Sequence, residues 1–65
     1  MSDWRINLID LFRANAESCR QRVKMLSSLG GYIENSRLEL LSKSEMLCAE
    51  EYEAIANLLA ERWDS

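Results

Sequence analysis

Residues 9–31 read IDLFRANAESCRQRVKMLSSLGG. Within this stretch Ile9, Phe12, Ala16, Cys19, Val23 and Leu26 recur alternately three and four residues apart, and the pattern stops at Gly30-Gly31. That spacing returns to one side of an α-helix, so the stretch predicts an amphipathic helix. Glycine adopts the left-handed conformation that commonly ends a helix, and here the only two glycines of the chain are adjacent. Beyond them a second set follows the same rule: Leu38, Leu41, Cys48, Tyr52, Ile55 and Leu59. Two amphipathic helices joined at a glycine pair make a helical hairpin, and the fold class is all-α.

There is no proline, so only glycine and local capping can end a helix. The first helix is expected over residues 3–28, with Ser2 or Asp3 as N-cap and Ser27-Ser28 weakening its last turn. At about 1.5 Å per residue it is roughly 39 Å long. Two readings fit the second half. One is a continuous helix over residues 32–63, which places Glu45 in the apolar stripe. The other breaks near 43–47, where Ser42-Lys43-Ser44-Glu45 has the spacing of a capping box. Residues 48–63 are helical in both. No repeat and no linker beyond the glycines is visible, so residues 1–65 form a single domain.

Around the first helix the apolar arc is wide. Trp4, Leu8, Leu11 and Leu29 extend the central stripe on one side, to about half the circumference. A single partner helix covers only a narrow seam. A chain of 65 residues is also marginal alone, and small scaffolds add disulfides, a metal or oligomerisation. Cys19 and Cys48 lie far apart, each on an apolar stripe, and read as free buried cysteines acting as small hydrophobes. With no histidine and no close cysteine pair, no metal site or cofactor is expected. The remaining route is self-association: a homodimer forming an antiparallel four-helix bundle, its core drawn from the twelve stripe residues named above. This plan resembles that of the plasmid RNA-binding hairpins of the repressor-of-primer type, also short two-helix chains that dimerise. The resemblance covers length, heptad-bearing helices and a short turn. No sequence motif is shared, so no binding residue follows from it.

The net charge of −3 conceals an asymmetry. Residues 1–29 hold five basic side chains against three acidic, a balance of +2, while residues 30–65 hold three against eight, a balance of −5. Such segments attract each other, within or between chains, and an acidic whole argues against non-specific binding to nucleic acid. Arg13, Arg20 and Lys24 nevertheless form a basic strip on the first helix. Asp10 and Glu17, three residues before Arg13 and Arg20, are spaced for intrahelical ion pairs, and the strip is also placed to meet glutamates of the second helix. A nucleic-acid-binding dimer using this strip is the alternative reading.

Catalysis has little to build on. The commonest general acid–base is missing, the two cysteines have no histidine to activate them, and Gly30-Gly31 lacks the spacing of a phosphate loop. The paired carboxylates Glu50, Glu51 and Glu53 point different ways on a helix and read as a solvated face. The chain is therefore expected to be no enzyme. Trp4 and Trp63 approach each other at the open end of a hairpin that turns at the glycines. They serve there as a plug or as partner anchors, and Met46, off the main stripe, is a third anchor candidate. No apolar run approaches the ~18 residues that suggest a membrane span, and nothing at the N-terminus resembles a signal peptide. The expected object is a cytoplasmic, non-enzymatic interaction module of bacterial or phage accessory type. It would bind and modulate a larger protein as inhibitor or adaptor. A purely structural oligomerisation element is the third reading.

Overall fold

The computed structural model describes residues 3–64. It contains two α-helices, α1 (Trp4–Ser27) and α2 (Asn35–Asp64), packed antiparallel as a hairpin of 48 × 20 × 10 Å. Asp3 is the N-cap of α1, its carboxylate accepting a hydrogen bond from the Arg5 amide at 3.0 Å. Ser2, the other cap expected, lies outside the described residues.

The end of α1 is closed by its two serines. The Ser27 hydroxyl donates to the Lys24 carbonyl at 2.7 Å and the Ser28 hydroxyl to the Met25 carbonyl at 2.6 Å. The Leu29 amide donates to the Leu26 carbonyl. Carbonyls that a helix end leaves without an internal partner are thereby satisfied. The chain then reverses through Leu29, whose carbonyl accepts from the Tyr32 and Ile33 amides, with Gly31 at φ 98°. An L side chain rarely adopts that conformation, so one glycine of the pair is required by the backbone. The Glu34 carbonyl starts α2 by accepting from the Arg37 and Leu38 amides.

Of the two readings of the second half, the continuous helix is the one observed; there is no break at 43–47. The reason is the fate of Glu45. Instead of turning back to cap a new helix, its carboxylate accepts from Arg22 Nε of α1 at 2.8 Å. Ser42, the expected cap, is half-buried between the helices.

The seam of the hairpin is a double heptad. On α1 it follows the expected residues, with Ile9, Ala16 and Cys19 buried and Phe12, Val23 and Leu26 half-buried. On α2 it keeps Leu38, Tyr52 and Leu59 of the expected stripe, but Ser42, Ala49 and Ala56 take the places expected of their neighbours Leu41, Cys48 and Ile55. Leu38, Glu45, Tyr52 and Leu59 alternate with Ser42, Ala49, Ala56 and Trp63, each set at steps of seven. Ala49 and Ala56 are 1% and 0% exposed, whereas Leu41, Cys48 and Ile55 remain exposed. The interaxial distance of packed helices depends on the side chains at the contact, and small ones let the backbones approach. Ala49 and Ala56 therefore sit in the seam, and the bulkier Leu41, Cys48 and Ile55 lie at its flank. The reading of Cys48 as buried is corrected by the same displacement: Cys19 is a buried free thiol, and Cys48 is an exposed one.

Candidate functional site

Because the helices are antiparallel, the two faces of the hairpin differ. One is charged. Arg13, Arg20 and Lys24 of α1 lie on it, and Arg20 forms an ion pair with Glu53 across the seam and another with Glu17 at 3.6 Å. The pairing expected of the basic strip is thus observed at its middle residue, both along the helix and between helices. These carboxylates occupy the guanidinium that a phosphate would need. Met46 lies on this side too, in a shallow hollow of about 390 Å³ with Glu39, Ser42, Lys43, Leu47 and Glu50.

The opposite face is apolar. A groove of about 300 Å³ opens between the helices near the turn, lined by Arg22, Met25, Leu26, Leu29, Leu41 and Glu45. Steps of seven continue both walls along the hairpin: Leu41 leads to Cys48 and Ile55 on α2, and Met25 leads to Ser18, Leu11 and Trp4 on α1. Trp4 is 64% exposed, and Leu11, Met25, Leu41 and Ile55 are also exposed. The residues displaced from the seam thus join the residues that widened the α1 stripe, on a single side of the molecule.

One polar pair crosses this face. Arg22 donates to Glu45 and also contacts Cys19 Sγ at 3.2 Å. The hydrogen bond to Glu45 raises the Arg22 guanidinium above its ordinary value. At the open end the Trp4 and Trp63 rings meet edge to face, with centroids 5.5 Å apart and planes at 68°, and the Arg5 guanidinium lies 5.9 Å from the Trp4 ring centre. Trp63 is half-buried at the end of the seam, and Trp4 packs against it while remaining mostly exposed. Phe12 and Tyr52 form a second ring contact inside, at 6.0 Å.

A further apolar strip was not legible as such in the sequence. Leu40, Leu47 and Leu58 lie on the outer side of α2, exposed by 65%, 60% and 59%, with Ala54 between them. Steps of seven from Leu40 to Leu47 to Ala54 carry its only trace in the sequence, and the alanine interrupts the apolar pattern. Glu50, Glu51 and Glu61 border this strip in its C-terminal half.

Among the described residues no group of three histidine, cysteine, aspartate or glutamate side chains is placed to hold a metal ion. Among the same residues no helix is long and apolar enough to cross a membrane. Comparison with protein families, with curated proteins and with solved structures finds no match.

Proposed function

We propose that this chain is a non-enzymatic, cytoplasmic interaction module that dimerises into a four-helix bundle and binds and modulates a larger protein. The observation that supports it is the amount and placement of uncovered apolar surface. Most of the exposed large apolar side chains lie on one face of the hairpin (Trp4, Leu11, Met25, Leu41 and Ile55) or along the back of α2 (Leu40, Leu47 and Leu58), while Ile6 and Met46 are exposed elsewhere. Patches of this kind mark interaction sites in soluble proteins. The hairpin face, spanning both helices, is the one for self-association. The strip Leu40, Leu47 and Leu58, bordered by acids, is left for a different partner, most simply an amphipathic helix with lysine or arginine at its edges.

Molar mass in solution, followed by light scattering from low to high micromolar concentration, tests the first half. A folded monomer throughout that range refutes self-association. For the second half, the immobilised chain is used to capture a partner from lysate, in parallel with the variant Leu47→Glu. Capture by both forms alike removes the outer strip from the reading. Capture lost only in Trp4→Ala/Trp63→Ala, with helicity kept, assigns partner binding to the tryptophan end instead.

A further inference from the structure

Two copies can bring their apolar faces together in two ways. A two-fold axis along the hairpin places both turns at the same end and lays α1 of each copy on α2 of the other. An axis across the hairpin places the turns at opposite ends and lays α1 on α1 and α2 on α2. In both, neighbouring helices run antiparallel, so backbone geometry does not choose between them. We infer that the occupant of the apolar face is a second copy of this chain with its turn at the same end. This rests on the dimer reading above and adds its geometry.

The hairpin is large enough for such a contact: its Cα trace extends 48 × 20 Å, and a standard stable interface takes roughly 800 Å² per partner. Charge then selects the arrangement. Turns at the same end put α1, which brings Arg22 to this face, against α2 of the other copy, which brings Glu45 to it with Glu51 beside. Turns at opposite ends put the two acidic helices together. That arrangement also sets Glu51, exposed beside the face near the middle of α2, close to its own copy. It brings Arg37, near the turn end, alongside Arg62 of the second copy, near the open end. Like charges placed together in an interface are unfavourable.

The Arg22–Glu45 pair points the same way. These two side chains are bonded across the seam, so they stand at one height on the apolar face. An axis along the hairpin places Arg22 of each copy over Glu45 of the other, and four charges of alternating sign close into a square. The carboxylate then gains a second guanidinium as the interface excludes water, which suits a charge-assisted hydrogen bond. With turns at opposite ends the two pairs lie in opposite halves of the bundle, each desolvated without that second partner.

The experiment is a distance between the two turns. Tyr32 is 88% exposed in the turn and accepts a spin label as Tyr32→Cys. Cys48→Ala removes the exposed thiol, and Cys19 is buried and left in place. Light scattering first establishes the mass of the labelled protein, and pulsed electron spin resonance then reads the label separation. A dimer with labels within about 20 Å supports the proposal, since packed neighbouring helices lie roughly 8–10 Å apart. A dimer with labels separated by a distance close to the 48 Å length of the hairpin overturns the arrangement and leaves the dimer standing. A folded monomer overturns both. In an unlabelled check, Glu51→Gln leaves the dimer dissociation constant within about threefold if the turns share an end; a tenfold tightening, about 1.4 kcal/mol, indicates that Glu51 faces its own copy.

Discussion

Replacing Ala56 by leucine adds an isopropyl group at a position that is 0% exposed, where α1 and α2 approach across the alanine seam. The helices have to part locally or the new side chain takes a strained rotamer. Overpacking of this kind costs about 1–3 kcal/mol. Alanine and leucine differ little in helix propensity, so the loss reports packing and not local helix stability. Each kcal/mol lowers the Tm of a domain this size by roughly 4–8 °C, which sets the expected fall at about 5–20 °C. Ala54→Leu is the control, two residues away in the same helix. It is the same chemical change on the exposed outer strip, and it should alter stability by no more than about 0.5 kcal/mol. The assay is urea unfolding followed by circular dichroism. All variants are measured at one protein concentration, because any dimer makes stability depend on it. If Ala56→Leu is neutral or stabilising, the seam does not run through Ala49 and Ala56. The larger residues Leu41, Cys48 and Ile55 would then have to be the helix contact. Equal losses at 54 and 56 would refute the assignment of faces on α2.

Gly31→Ala forces an L side chain into φ 98° and should cost about 1–2 kcal/mol in the same assay, whereas Gly30→Ala, whose added Cβ meets only the Ser27 carbonyl at 4.0 Å, should not. Asp3→Ala removes the acceptor that caps α1 and should cost about 0.5–2 kcal/mol, read as a loss of ellipticity and of Tm. Arg22→Ala leaves Glu45 at the seam without its guanidinium and should lower the Tm, by less as salt is added. Glu45→Leu, which fills the same seam position with apolar carbon, should raise it. Unchanged melting in both would show that the Arg22–Glu45 contact has no part in holding the helices.

The sequence alone was enough for the hairpin, because helix formation answers to local rules. Periodicity in residues 9–26 predicted the α1 seam residue by residue. Asp3 offered a capping carboxylate, and the glycine pair marked the one place where the chain could reverse. The charge imbalance between the two halves was equally legible, and the Arg20–Glu53 pair is its direct expression.

Which face of α2 meets α1 was decided only in three dimensions. Read as a line, α2 offers large apolar residues on several sides, and size draws attention to Leu41, Cys48 and Ile55. In the folded hairpin the contact goes to the small residues Ala49 and Ala56, since close approach of two backbones requires side chains that leave room. The fate of residues 43–47 was decided in the same way. A capping box and a continuous helix compete locally, and the arginine that settles the matter stands 23 positions earlier in the chain, on the other helix. Long-range partners of this sort are invisible to spacing rules, because those rules register only neighbours in sequence. The apolar face of the hairpin follows from both decisions. Once alanines take the seam and Glu45 is held by Arg22, Leu41, Cys48 and Ile55 of α2 are left beside Trp4, Leu11 and Met25 of α1 on one exposed side.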